Sequence, residues 1–216
     1  MASEDKNKTL ETTLKGENTA QKGGLGGLQA LVERAGEKGK SLPPVDKWHP
    51  EYCGKLDIII KRDGSWFYMG TPIGRKRLVK LFSTVLRKDE DGETYLVTPV
   101  EKIGISVEDA HFIAVEMNCE NEGEKQVLTF RTNVGDVVEA SEENPLRFVT
   151  DEENNGVKPY LLIRGRLEAL IGRAVMYELI SKGEEIEIDG KVMFAVRSHG
   201  AVFPIMNANE LVEKST

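Results

Sequence analysis

An α+β fold is predicted, with two small domains built from related strand–helix–strand motifs and mostly antiparallel sheets each packed by one long helix. Three observations carry it. β-rich runs flank Asp63-Gly64 and Asp189-Gly190, dipeptides that favour two-residue hairpins. Two segments space apolar residues three or four apart, as amphipathic helices do. Each of those segments is followed by an Asp-Gly turn and a further β-rich run.

In chain order, residues 1–40 begin with polar text poor in large apolar side chains, which predicts a disordered tail. Leu25, Leu28, Leu31 and Val32 add a short amphipathic helix near its end. The N-terminal domain is expected over 41–104. Strands at 57–62 and 65–69 flank Asp63-Gly64, and Thr71-Pro72 reads as an N-cap with proline at the first helical position. That helix is expected to reach about Arg87, because Leu78, Leu81, Phe82, Val85 and Leu86 line one face. A strand at 94–98 follows.

The C-terminal domain is expected over 105–207. Strands at 111–117 and 126–132 are joined by an acidic turn, and 146–149 reads as a strand or a 3₁₀ turn. A short strand at 160–163 leads into a second long helix at 166–181. The runs 184–188 and 191–196 flank Asp189-Gly190, 201–206 is a final strand, and 208–216 is a tail. Ile73, Arg75 and Leu78 echo Ile163, Arg164 and Leu167, which suggests a repeated unit.

At 216 residues, 39% hydrophobic and 30% charged, the chain can bury one large or two small cores. A net charge of -7 argues against a general binder of nucleic acid or anionic membrane. The polar start lacks a signal-peptide core, and no apolar run approaches the ~18 residues of a membrane span. The two cysteines, Cys53 and Cys119, are expected as free thiols in a cytoplasmic protein.

Within this acidic chain, residues 64–88 carry six basic side chains and no Asp or Glu. Arg75, Lys76 and Arg77 fall at the expected helix start, where the backbone is already electropositive and cations are disfavoured. On a helical wheel Arg75 falls within the apolar stripe beside Leu78, Phe82 and Leu86, and Arg164 takes the equivalent place against Leu167, Ile171 and Val175. A guanidinium aimed at a core keeps its charge and needs a carboxylate, carbonyls or a bound anion. The structural alternative is a buried ion pair with Asp57, Glu116 or Glu178. The functional reading is an anion site in which Arg75 and Arg164 pair with the ligand, Thr71 orients it, and Trp66 or Phe82 walls it.

Other candidates carry less. His49 and Cys53 are one helical turn apart, but Pro50 intervenes and no second pair completes a metal site. His199 lies beside Ser198 without a nucleophile elbow or oxyanion donors. No metal, cofactor or catalytic residue is assigned.

The run Asp57-x-x-Ile60-x-x-Asp63-Gly64-x-Trp66-Phe67-Tyr68-x-Gly70-Thr71-Pro72-Ile73-x-Arg75 resembles a bacterial family, domain-of-unknown-function family 1285. The likeness continues at 78–82, 96–102, 160–170 and 200–204, and covers 43–206. It implies two small α+β domains and a role in ligand binding or signal transduction, with no established reaction. Arg197 stands where the family pattern has an aromatic residue, so no family role is carried onto 197–199. Thr71, Pro72, Arg75, Arg164 and Phe203 match the pattern without a catalytic label.

The resulting expectation is a cytoplasmic binding or adaptor protein, more an interaction module than an enzyme, which recognises a small anionic ligand or acidic protein segment. It could be oligomeric. The alternative is a hydrolase-type enzyme using Glu178 or Asp57 beside His199 in an interdomain cleft.

Overall fold

A computed structural model of the chain describes residues 42–151 and 156–208. The expected N-terminal tail and its amphipathic helix lie outside the described residues, as does nearly all of the C-terminal tail. Two compact units divide the chain between Ala110 and His111, with Gly165–Leu167 grouping with the first.

In the first unit, β1 (Tyr52–Ile60), β2 (Trp66–Tyr68) and β3 (Thr71–Pro72) pair antiparallel in succession. Helix α1 (Lys76–Thr84) follows, then a second antiparallel trio: β4 (Leu86–Lys88), β5 (Thr94–Val97) and β6 (Lys102–Val107). β6 lies parallel to β1, giving the order β3-β2-β1-β6-β5-β4. The Asp63-Gly64 turn forms as expected between β1 and β2, with Gly64 at φ 77° and Asp63 Oδ1 accepting the Ser65 N–H. The core lies where Phe82 of α1 meets Trp66 of β2, ring centroids 6.3 Å apart and both side chains 2% exposed.

The second unit repeats that strand order. β7 (Phe112–Glu120), β8 (Val127–Thr132) and β9 (Val137–Glu139) form one trio, and β10 (Leu146–Asp151), β11 (Gly156–Arg164) and β12 (Leu167–Ile171) the next. β12 lies parallel to β7, so the order β10-β11-β12-β7-β8-β9 is the first sheet's order with every strand number raised by six and read from the other end. Helix α2 (Arg173–Ile180) packs on β7, and β13 (Glu184–Ile188), β14 (Lys191–Ser198) and β15 (Ala201–Asn207) form a three-stranded antiparallel sheet. Asp189 and Gly190 both take positive φ, the geometry of a type I′ hairpin.

The expected α+β class is corrected. Among the described residues the protein is mostly β, and its two α-helices have only nine and eight residues, so neither sheet is packed by a long helix. Thr71 and Pro72 are an edge strand, not an N-cap; the helix waits until Gly74 is passed and Arg75 takes the cap at φ -82°, ψ 98°. It stops at Thr84 because the Ser83 and Thr84 hydroxyls donate to the carbonyls of Lys80 and Leu81, satisfying the last turn from within. The expected helix over 166–181 is a strand up to Ile171. Its burial alternates, with Leu167, Ala169 and Ile171 buried and Glu168 and Leu170 half-buried, and period two won over the three- and four-residue spacing. The echo of Arg75 with Arg164 therefore matches a helix cap to a strand end, whereas the true internal repeat is the six-stranded order.

Candidate functional site

The start of α1 gathers the cations. Arg75, Lys76, Arg77 and Lys80 are exposed, and the first turn holds no acidic residue. Lys76, Arg77 and Lys80 make no side-chain ion pair among the described residues. The Leu78 and Val79 N–H groups both donate to the Arg75 carbonyl, leaving the N–H groups of Lys76 and Arg77 ahead of the first intrahelical bond. Backbone and side chains thus present one sign of charge to solvent. Arg75 itself is exposed rather than buried in the apolar stripe, because the helix begins at it instead of four residues earlier.

Arg87, further along the run, is structural. The Arg87 guanidinium donates to Asp89 at 2.6 Å and to the carbonyls of Val45 and Trp48 at 2.8 and 2.7 Å, fastening the short 3₁₀ turn Val45–Lys47 to β4. Lys102 Nζ reaches Asp89 at 2.7 Å and lies over the Tyr95 ring at 3.9 Å. Burial works against the Asp89 charge, but the hydrogen bonds from Arg87 and Lys102 outweigh it and hold Asp89 below the usual aspartate range. The Tyr95 hydroxyl donates to Asp91 at 2.6 Å, which together with burial pushes that phenol up to about 12.

The other expected site residues are not gathered with Arg75. Trp66 and Phe82 are core, and Thr71 lies on β3. Arg164 ends β11, where it pairs with Asp136 at 2.7 Å and stacks over Phe112, ring centroid at 5.0 Å. Asp136 is placed by the Thr132 turn, since its N–H donates to Thr132 Oγ1 and its carbonyl accepts the Thr132 N–H. None of the proposed partners serves Arg164. Glu116 pairs with Arg131, whose hydrogen bond lowers the Glu116 pKa, while Asp57 and Glu178 are exposed. Sequence reasoning missed Asp136; its only local signal is the glycine turn at Gly135 (φ 89°), and the pairing with Arg164 spans 28 positions.

His199 belongs to a different site. It occupies the β14–β15 turn at φ 50° with Gly200 at 76°, a two-residue hairpin turn. Its Nε2 lies 2.7 Å from Glu139, so Glu139 rather than Glu178 or Asp57 is the carboxylate beside it. Ser198 cannot act as its nucleophile partner: the side chain is fully buried and Oγ accepts the Leu128 N–H. His199 and Glu139 line an open depression of about 660 Å³ with Val137, Ser141, Asn144 and Ile163. No group of three or more His, Cys, Asp or Glu suited to a metal occurs among the described residues. Nor does any described helix have the length and apolarity to cross a membrane.

Fold and surface together define a two-unit, β-rich protein that carries a cationic helix start on one unit and an acidic depression on the other. The model of the DUF1285 N-terminal domain, a domain of unknown function, matches residues 43–110, and that of the C-terminal domain matches 111–205. The chain belongs to the DUF1285 family. A DUF1285 family protein from Silicibacter pomeroyi DSS-3 is 45% identical over 84% of this chain and 97% of its own, with a TM-score of 0.76. Another, from Shewanella baltica OS155, is 27% identical over 59% of this chain and 92% of its own, with a TM-score of 0.47. No curated protein matches the chain.

Proposed function

We propose that this protein is a cytoplasmic binding or adaptor protein, suited to signal transduction, that holds an acidic segment or small anion at the start of α1. One observation carries the reading: three exposed cations without an ion pair among the described residues, Lys76, Arg77 and Lys80, follow a helix start whose first turn has no acidic residue. Arrangements that leave like charges at the positive end of a helix cost stability, and an anion relieves that cost. Arg164 drops out of the ligand set because Asp136 already holds it. Trp66 and Phe82 drop out because the core holds them.

The test titrates the protein with a polyglutamate peptide and, separately, with inorganic pyrophosphate at low and moderate salt. Binding should weaken as salt rises and fall about tenfold or more in the double variant Lys76→Glu, Arg77→Glu. Lys80→Ala should weaken it without lowering the melting temperature. Equal affinity in wild type and double variant would end this reading. The hydrolase alternative draws on the His199–Glu139 pair; ester turnover lost in His199→Ala would replace binding with catalysis as the conclusion.

A further inference from the structure

The second sheet closes on itself, and the closure is incomplete. In a flat sheet β9 and β11 would stand about 19 Å apart, four strand spacings. Instead Arg164 at the end of β11 reaches Asp136, the residue before β9, and Ile163 and Val137 line one depression. The gap between β9 and the start of β10 is crossed by residues 140–145. Asn144 anchors that crossing by donating Nδ2 to the carbonyls of Leu162 and Ile163 at 2.9 and 3.1 Å.

β9 faces the gap with unpaired backbone. The Ala140 N–H donates to Leu128 and the Thr132 N–H to Asp136, which fixes the phase of the β8–β9 ladder. Antiparallel pairing alternates, so Asp136, Val138 and Ala140 address β8 while Val137 and Glu139 turn their N–H and C=O groups outward. No described residue pairs with those outward groups. The corresponding edge of the first sheet is blunted: β3 is two residues long and ends in Pro72, which has no N–H to offer. β9 carries no proline. Beside it lie Glu139, Glu142 and Glu143, with 64%-exposed Val137 supplying an apolar contact.

We propose that the open edge of β9 accepts an extended protein segment bearing basic side chains, added as a further strand in the gap. Backbone hydrogen bonds to Val137 and Glu139 would set its register. Glu142 and Glu143, with Glu139, would select lysine or arginine on one side of it, and Val137 a β-branched residue. This surface is independent of the α1 start and has the opposite charge preference.

The test measures binding of a short synthetic peptide alternating lysine and valine to the full chain, by fluorescence anisotropy. Saturable binding is expected, weakened about tenfold in the loop variant Glu142→Lys, Glu143→Lys, which leaves every core residue in place. Val137→Pro removes one outward N–H and should weaken binding similarly. A peptide with proline in place of every valine keeps the charge but loses half its backbone donors and the β-branched side chains, and it should bind at least tenfold more weakly. Equal binding of the proline peptide would overturn strand addition in favour of diffuse charge attraction. Self-association of the chain that Val137→Pro abolishes would overturn the basic segment in favour of a second copy as the occupant.

Discussion

The two six-stranded sheets share one strand order and differ in what joins the third strand to the fourth. In the first unit that connection is α1, whose Phe82 fills the sheet face against Trp66. In the second it is residues 140–145, with no helix, and the sheet instead curls until Arg164 meets Asp136. One topology therefore buries its face in two ways. A helix between the third and fourth strands supplies the cover in one case. In the other the sheet curls and the later helix α2 packs on β7, with the depression beside β9 as the residue of imperfect closure. The charge follows the same division, cationic where the helix starts and acidic where the loop crosses.

The largest effect expected from this contrast is at Phe82. Truncating a fully buried aromatic costs about 3–5 kcal/mol, so Phe82→Ala should shift the chemical unfolding midpoint markedly. Hydrogen exchange should show the loss in the first unit, with β7 and β8 still protected. Equal loss of protection in both units would mean that α1 does not serve its own sheet alone.

Arg164→Ala comes next. Removing the guanidinium leaves Asp136 half-buried and strips the cation from Phe112, at a cost of about 1–3 kcal/mol. Exchange should quicken at β9 and at residues 140–145, where closure depends on that pair. Arg87→Ala gives the matching figure for the first unit, also about 1–3 kcal/mol, since the carbonyls of Val45 and Trp48 lose their donor. Its signature should be faster exchange near Val45, not at β9.

These contacts mark the limit of what the sequence discloses. Hairpins at Asp63-Gly64 and Asp189-Gly190 were legible because a tight turn is a local property of the residues that make it. The first is a three-residue loop closed by the Lys61 N–H on the Ser65 carbonyl, the second a two-residue turn. Helix lengths were not. Leu167, Leu170 and Ile171 satisfy a helical spacing and, through Leu167, Ala169 and Ile171, a strand alternation too; sheet pairing with β7 decided between them. β6 passed without notice because Lys102 to Val107 carries no turn signal of its own, and its place beside β1 is a parallel pairing across 50 positions, Tyr52 to Lys102. The cationic run was plain in the text, although burial of Arg75 was inferred from a helix that begins too early. The pairs Asp136–Arg164 and Glu139–His199 meet only through folding, so no spacing rule could have joined them.

The smallest effect concerns Asp89, the first unit's counterpart to Asp136 as an anchor for a half-buried arginine. Its folded pKa is depressed, so the stability it supplies is present above the ordinary aspartate value of 3.8 and disappears as pH falls through the folded value. Asp89→Asn should cost about 1 kcal/mol at neutral pH, because Arg87 and Lys102 keep a hydrogen-bonding partner but lose its charge. Below the folded pKa the wild type has lost that charge as well, so the two unfolding curves should converge in acid. A gap between variant and wild type that stayed constant from neutral pH to acid would show that packing around Asp89, and not its ionisation, fastens Val45 and Trp48 to β4.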